Sequence, residues 1–575
     1  MTNNVSSTDV SSTDVSSTDV SSTEQGSFYR KITYLALIAV LLFPLSQLGA
    51  PKTRKRGENG EAGGGGKLAQ MRADHNLGSS NLGKIDPTSA AMRMATLGAR
   101  GIAVSWLWSK AIEYKKKEDW TNFRATLSQL ANLQPYFISF WRYQSWNLSY
   151  NVSVELDDVG DRFHYVKRGI EFLKEGTLYN RDSPYLLAEL GWFIGNKIGK
   201  ADEHVEYRQL FKHDDDFHNK FFDGNPPPRE QRDNWLVSGK QYNRAISAVD
   251  DKKKSLGQKN PTTFYNRPGM SQINYSEAIE KEGTFGDSAK EAWRVAEKLW
   301  HEYGNRELKS SRGFYIRLAG IDRLEQEARK LEEDLENIAP DLRKKMESER
   351  LASLTAEQRE VLAVSPAELS EEQSQLFYTT KRQLEISWQD LAARIAVDIP
   401  DQSTQARKMA SRLAKLKERI TLTNTNRDVS NYAYWDSRCH FEQTSAALKG
   451  RALAYAGRRA FKEKADLIGA RRLYEESFAL WAALVADYPV MLDDSAAGAD
   501  IMEFIDQYSS ILEQLDKSLA DEDVDSQFPL WNFLELNDSE RKYPEAISAH
   551  RRRAGTEQPP AEPPVPDVES QPDRP

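Results

Sequence analysis

Residues 140–153, FWRYQSWNLSYNVS, leave few ways for the surrounding chain to fold. The segment contains five aromatic residues, and on a helix of 3.6 residues per turn its apolar side chains form two arcs on roughly opposite sides. A helix with one apolar stripe lies on a surface, whereas a helix that is apolar on two sides packs between neighbours. The segment therefore predicts a helix held between other helices, as in a bundle or a stack of helical hairpins.

The same rings allow two interpretations. If both arcs are core, Trp146 is a wedge between two hairpins, and this is the interpretation that we favour. The alternative is a ring-lined pocket for a peptide, a glycan or a base, because aromatic platforms bind such ligands. In that case the partner-binding candidates are Trp141, Trp146 and Trp192.

Apolar and small residues before and after this segment follow the spacing of a tetratricopeptide hairpin, in which two helices form a unit of 34 residues. The first unit contains Leu107, Ala111, Tyr114, Phe123, Leu127, Leu130 and Pro135. Trp141 lies 34 residues after Leu107, and about twelve extra residues near 154–161 keep the later units in register. This resemblance implies an all-α, tetratricopeptide-like α-solenoid over residues 91–315.

The repeat motif is degenerate. Lys110, Arg181 and Glu203 stand where an apolar residue, a proline and a small residue are expected, so the number of repeats stays open. Residues 423–550 show the same spacings more weakly, which predicts a second tetratricopeptide-like helical domain. An irregular α-helical bundle is the alternative.

Residues 221–290 differ from their surroundings. They include FDGNPPPRE, with three consecutive prolines, and the turn-rich segment NPTTFYNRPGMSQINY. Helix cannot continue through the first of these segments, and the second contains many turn-forming residues. We therefore predict an ordered loop over 221–290, which either closes the end of the solenoid or carries function.

Residues 316–422 combine high charge with a tight apolar repeat. Apolar residues recur in steps of three and four along three segments, at residues 321–338, 377–395 and 409–420. The pattern predicts a charged insertion of coiled-coil-like helices between the two repeat regions. A helix of a second copy can replace one strand of such an insertion, so self-association through 318–420 is the alternative.

The N-terminus has three parts. Residues 1–29 consist mainly of a Ser/Thr-rich repeat of five residues and predict a disordered tail. Within 30–51, Ile32 to Ala50 is a run of nineteen residues without a charge, which predicts a transmembrane anchor. Residues 52–90 contain four consecutive glycines and predict a flexible linker.

Basic residues flank the apolar run on both sides, at Arg30, Lys31, Lys52, Arg54, Lys55 and Arg56. A cleaved signal peptide is the competing interpretation, although the long preceding tail is unusual for one. The balance of these charges leaves the orientation of the bulk of the chain open. We predict a single-pass protein of a bacterial inner membrane.

Charge and composition exclude several classes of function. The net charge of −8 argues against a nucleic-acid binder, and Cys439 alone supports neither a disulfide framework nor a thiolate zinc cluster. The chain contains no phosphate-binding glycine loop, nucleophile elbow or HExxH sequence. Residues 551–575 are proline-rich and acidic and predict a disordered tail. We predict no cofactor.

One cluster of residues, at 202–218, has the composition of a metal site. Its candidate ligands are His213, Asp214, Asp216 and His218, because imidazole and carboxylate together suit zinc, manganese or iron. If they bind an ion, the protein is a metal-dependent hydrolase or lyase on a helical scaffold. The alternative is a solvated acidic loop.

The strings WNLSYNVS, GIEFLKEGTLYN and GWFIGNKIGKADE resemble a family of membrane-anchored, tetratricopeptide-like proteins of planctomycete-type bacteria. The resemblance implies helical-repeat architecture and membrane association but no activity. The function that we predict is a membrane-tethered, non-catalytic scaffold that binds protein partners, because stacked hairpins form extended concave surfaces.

Overall fold

The computed structural model describes residues 100–310, 312–492 and 497–555, together with Thr33, Ala36 and Val40. The sequence-based predictions for the N-terminal tail, the linker at 52–90 and nearly all of the anchor at 30–51 therefore lie outside the described residues. No helix within the described part of the chain is long and apolar enough to cross a membrane. The predicted C-terminal tail lies outside it from residue 556 onward.

The prediction of an all-α chain is confirmed, because helices form nearly all of the described structure. The first ten are α1 (Arg100–Lys116), α2 (Trp120–Leu133), α3 (Ile138–Trp146), α4 (Val159–Tyr179), α5 (Pro184–Trp192), α6 (His204–His213), α7 (Asp215–Phe221), α8 (Asn234–Asp250), α9 (Pro261–Tyr265) and α10 (Arg267–Lys281). Two π-helical segments, Asn147–Val152 and Phe193–Lys197, directly follow α3 and α5.

The next seven helices are α11 (Asp287–Asn305), α12 (Ile321–Ile338), α13 (Leu342–Ala352), α14 (Ala356–Ala363), α15 (Glu371–Leu384), α16 (Trp388–Asp398) and α17 (Ser403–Ser430). The last seven are α18 (Tyr432–Phe441), α19 (Ser445–Lys464), α20 (Leu467–Asp487), α21 (Ala497–Gln514), α22 (Glu522–Asp525), α23 (Trp531–Asn537) and α24 (Pro544–Ala554). One small antiparallel sheet pairs β1 (Leu308–Lys309) with β2 (Tyr315–Ile316).

The chain divides into two compact units. Among the described residues, the first unit comprises those up to Trp141 together with Glu175–Asp182, and the second comprises Arg142–Lys174 together with those from Ser183 onward. In the first unit α1 and α2 form a hairpin whose buried residues include five of the seven positions of the first predicted repeat, namely Leu107, Ala111, Phe123, Leu127 and Leu130.

The prediction of an ordered loop over 221–290 is wrong for most of that range. Residues 222–233, which contain the three prolines, are largely non-helical, but α8, α9 and α10 occupy much of the rest. Pro261 and Pro268 stand in the first turn of α9 and α10, where a helix needs no backbone N–H and a proline helps to start it. The Asn260 side chain also caps α9 by accepting a hydrogen bond from the backbone N–H of Thr262 at 2.9 Å.

The charged insertion is helical, and its apolar seams face one another within the chain. Ala328 of α12 packs with Leu413 and Leu416 of α17, and Leu335 packs with residues of α16. Two details differ from the sequence-based prediction. The second seam is interrupted between α15 and α16, where Ser387 and Asp390 form a capping box. The predicted domain boundary at residue 422 falls inside α17. This helix continues to Ser430 and ends where Asn431 takes the left-handed conformation.

The second half of the chain is built around the hairpin of α19 and α20. Tyr474 and Trp481 of α20 lie against Gly457 and Gly450 of α19, and a Cβ at Gly457 would come within 2.9 Å of the Tyr474 ring. The hydroxyl of Ser477 donates a hydrogen bond to the carbonyl oxygen of Gly450 at 2.8 Å. Helices α21 to α24 extend the same apolar core. The last of them ends at Ala554, slightly beyond the predicted start of the C-terminal tail.

Candidate functional site

The three tryptophans that the sequence singles out have different environments. Trp141, in the first unit, is fully buried. Its indole Nε1–H donates to the carbonyl oxygen of Pro135 at 2.8 Å, and its ring stacks on Tyr179 with centroids 5.7 Å apart. Trp146, in the second unit, is 41% exposed. The prediction that Trp146 is a buried wedge is therefore wrong, and Trp141 has that role within its own unit.

Trp146 and Trp192 belong to a row of stacked rings in the second unit. Tyr150 stacks on Trp146 with centroids 6.0 Å apart and on Trp192 with centroids 5.8 Å apart. The ammonium of Lys197 lies 4.6 Å from the Tyr150 ring centroid, and burial lowers the pKa of Lys197. Because the inner rings stack on one another, Trp146 is the member of the row with the large exposed surface.

The metal candidates do not converge. His213 is exposed, and its Nδ1 bonds to the carbonyl oxygen of Gln209, whereas His218 is fully buried and donates from Nε2 to the carbonyl oxygen of Phe211 at 2.7 Å. Asp214 accepts from Lys167 at 2.6 Å and caps α7, and Asp216 is exposed. Among the residues that the structure describes, no three His, Cys, Asp or Glu side chains form a group that could hold a metal ion.

A different group of residues lines a pocket in the second unit. This pocket, which we call the Glu280 pocket, opens between α10, α19 and α21 and has an empty volume of about 480 Å³, part of it open to solvent. Its floor is formed by Glu280, Arg451 and Asp500. Its apolar lining includes the side chains of Phe285, Tyr455 and Phe504.

Backbone geometry at the end of α10 lets the aromatic rings approach. Gly283 has a φ of +90°, and a Cβ there would lie 2.6 Å from the ring and the hydroxyl oxygen of Tyr455. Because glycine accepts this conformation and leaves the space free, the chain can turn after α10. Phe285 then meets Tyr455 edge to face with ring centroids 5.4 Å apart.

Beneath the pocket, two buried arginines share several carboxylates. Arg451 donates from Nε to Glu442 at 2.7 Å, and its Nη1 lies 3.2 Å from Asp500. Arg438 forms an ion pair with Glu277, with its Nη1 2.8 Å from the carboxylate, and also contacts Glu442 and Asp500. Buried charges are stable only when they are paired and hydrogen-bonded in this way. The two guanidinium groups therefore hold α10, α18, α19 and α21 together through ion pairs.

Within this network, Arg438 Nη1, Trp293 Nε1 and both carboxylate oxygens of Glu280 make no hydrogen bond to a described residue. Glu280 is only 4% exposed. Its nearest cation is Arg451, whose Nε lies 3.4 Å from Oε2. The Trp293 side chain favours the ionised form without completing a hydrogen bond. Burial, opposed by Arg451 and assisted by the negative charge of Glu442, raises the pKa of Glu280 to about 8.

The pKa of Asp500 shifts in the opposite direction to that of Glu280, although both groups lie near Arg451 and Arg438. Although burial opposes its ionisation, Arg451, Lys281 and Arg438 hold the pKa of Asp500 below its ordinary value. Lys281 approaches from the rim, with its ammonium 3.1 Å from Asp500 and a side chain that is 55% exposed. The pocket thus holds an ionised, ion-paired carboxylate, that of Asp500, beside the buried carboxyl group of Glu280, which makes no hydrogen bond to a described residue. Such a divergence within a pocket is typical of functional sites.

The sequence analysis does not identify this site, although the sequence contains a signal for it, namely charged residues at helix positions where apolar residues are expected. Glu280 follows the buried residue Ile273 by seven positions, and Arg451 lies four positions after the buried residue Ala447 and three before Ala454. Both charges therefore stand on the apolar stripe of their helix, where an unpaired charge is costly. A charge in that position predicts a buried partner or a ligand, but not which helix supplies it.

Comparison with known proteins leaves the interpretation to the geometry of the site. The chain matches no protein-family model, no curated protein and no solved structure.

Proposed function

We propose that this protein is a membrane-tethered scaffold of tetratricopeptide-like helical hairpins, and that it binds a protein partner in the Glu280 pocket. The observation that carries the proposal is the buried Glu280 carboxyl group, which lacks hydrogen-bonding partners and lines an open pocket. Buried polar groups in folded proteins are nearly always paired, so an unpaired one in a pocket is explained by a ligand that supplies the missing donors.

The rest of the pocket favours a polypeptide ligand. Phe285, Tyr455 and Phe504 provide apolar surface, while Arg458, Glu503 and Gln507 provide polar groups. Protein interfaces combine aromatic anchors with a polar rim in the same way. The residues come from three helices and the turn after α10, and facing helices of a repeat array form binding surfaces of this kind.

The binding function can be tested by site-specific cross-linking in cells. A photoreactive benzophenone side chain replaces Glu503, which is exposed at the pocket, or Ile468, which is 69% exposed on α20 and does not line the pocket. We expect the full-length protein to give a discrete cross-linked polypeptide from position 503 and none from position 468. Identical products from both positions, or no product from position 503, would contradict the proposal.

The membrane tether is a separate part of the proposal and rests on the uncharged run of nineteen residues from Ile32 to Ala50. Replacing both Leu37 and Leu41 with arginine should move the protein from the membrane pellet to the supernatant after cell fractionation. Each charge near the centre of a span costs roughly 2.5–3.5 kcal/mol on insertion scales. Replacing the same residues with valine is the control and should leave the protein in the pellet. A wild-type protein in the supernatant would exclude the tether.

A further inference from the structure

We propose that the Glu280 pocket binds a guanidinium group, presented by an arginine side chain of the partner polypeptide. This inference rests on the proposed function and names the chemistry by which the partner is recognised. Three features of the pocket lead to it: the unused acceptor atoms of Glu280, the charge balance of the surrounding network and the shape of the donor that fits them.

The unused atoms are acceptors. Both oxygens of Glu280 are buried without a hydrogen-bonding partner, and Arg451 reaches only to 3.4 Å from one of them. Because an ionised carboxylate accepts hydrogen bonds and donates none, its missing partner is a donor. Two adjacent oxygens of one carboxylate are matched by the two parallel N–H groups of a guanidinium, and this bidentate pairing is stronger than a contact with a single ammonium.

Charge balance also favours a cation. Glu277, Glu280, Glu442 and Asp500 are four carboxylates in contact with three cationic side chains, Arg438, Arg451 and Lys281. While Glu280 is protonated, the other three carboxylates balance the three cations, and the network carries one excess negative charge only when Glu280 ionises. At the rim, Arg458 and Glu503 have opposite charges and cancel. A ligand with one positive charge therefore neutralises the network, whereas an anion would add to its excess.

The aromatic lining fits the same group. Tyr455 already carries the guanidinium of Arg458 over its ring at 5.2 Å, and Phe285 and Phe504 lie in the same pocket. Guanidinium groups stack on such faces and lose less hydration energy on burial than an ammonium does. An arginine side chain that enters past these rings can place its planar end at the Glu280 carboxylate while its aliphatic part contacts the rings.

Binding of a guanidinium should be coupled to the release of a proton. Glu280 faces Arg451 of α19, Arg438 of α18, Glu442 directly after α18, Trp293 of α11 and, across the pocket, Asp500 of α21. Among these groups Glu280 is the one whose pKa is raised to about 8, and a bound cation favours its ionised form. Affinity should therefore rise with pH up to about 8 and level off above it.

The test is calorimetric titration of the purified full-length protein with three probes at pH 7 and pH 9.5. The first probe is a capped peptide with one arginine between alanines, the second is the same peptide with citrulline, and the third is free L-arginine. We expect saturable binding of the arginine peptide, at least tenfold tighter than the citrulline peptide. Its affinity should be about tenfold higher at pH 9.5 than at pH 7, with close to one proton released at pH 7.

Substitution of the carboxyl group identifies its part in binding. Glu280→Gln should reduce affinity for the arginine peptide to that for the citrulline peptide and remove the pH dependence. Glu463→Gln, an exposed glutamate outside the pocket, should change neither. A thermal melt checks that both variants fold. If Glu280→Gln does not fold, the comparison of arginine with citrulline on the wild-type protein still decides the question.

The outcomes separate this inference from the proposed function. Equal affinity for arginine and citrulline, or tighter binding at pH 7 than at pH 9.5, would overturn the guanidinium assignment. Equal affinity for free L-arginine and the capped peptide would overturn the assignment to a polypeptide. If the cross-link from position 503 still forms in either case, the scaffold function stands and only the recognised chemistry is wrong.

Discussion

Trp141→Ala should lower the free energy of unfolding of the first unit by about 3–5 kcal/mol, as truncation of a large buried aromatic residue does. The indole is fully buried and stacks on Tyr179. It packs directly on Gly176, where a Cβ would lie 2.6 Å from the Trp141 ring. Because the backbone at Gly176 approaches the ring directly, no side chain there can move into the space that the indole leaves. Urea titration followed by far-UV circular dichroism measures the loss.

Trp146→Ala is the matched control, because it removes the same side chain from the same helix. Trp146 is 41% exposed, and its ring stacks on the ring of Tyr150. The loss should stay below about 1.5 kcal/mol, the value of one aromatic pair. If both variants lose the same free energy of unfolding, the burial of a tryptophan ring does not determine how much that tryptophan contributes to stability.

The sequence predicts the helix that carries both tryptophans but not their separate environments. Helical periodicity depends on local spacing, so two apolar arcs are visible from residues 137 to 152 without any structure. Whether an arc is covered along its whole length depends on how far the neighbouring helix extends. Trp192 of α5 and Phe193 directly after it both reach Tyr150, whereas Trp146 keeps a large exposed surface.

The prolines of residues 221–290 also show that the sequence predicts some features of the fold and not others. Its effect depends on its position, since it interrupts a helix interior but begins a helix at the first turn. Pro226, Pro227 and Pro228 prevent helix formation around them, as predicted, whereas Pro261 and Pro268 begin helices. The Asn260 side chain caps α9, but the Asn-Pro pair alone does not distinguish the two cases, because Asn225 directly precedes Pro226 as well.

The candidate site is the least predictable part, because its members come from three separate helices and the turn after α10. Glu280 and Arg451 are 171 positions apart in the chain, and the charged insertion lies between them. Each charge on an apolar stripe signals a buried ion pair, but the partner is chosen by the packing of α10 against α19. In contrast, the His and Asp cluster at 202–218 is close in sequence, and the structure directs its side chains to solvent, to Lys167 and to a phenylalanine cluster.

Glu442→Gln should lower the free energy of unfolding of the second unit by about 3–5 kcal/mol, the usual cost of removing one partner from a buried ion pair. Glu442 is fully buried and accepts from Arg451 at 2.7 Å and from Arg438 at 3.3 Å. The amide has the same shape but no charge, so both arginines lose a shared counter-ion. The exposed pair of Glu463 with Arg459 provides the control, since Glu463→Gln should leave the free energy of unfolding close to that of the wild type.

The loss in Glu442→Gln should also depend on pH, because Glu280 can replace part of the missing charge. In the wild-type protein the pKa of Glu280 is raised from 4.5 to about 8, so its contribution to stability is present at low pH and is lost as pH rises through this range. Without the negative charge of Glu442, the pKa of Glu280 should fall, and ionised Glu280 then pairs with Arg451 at high pH. We therefore expect a smaller loss at pH 9 than at pH 6 in urea titrations. A loss that is the same at both pH values would show that Glu280 and Glu442 do not share the Arg451 charge.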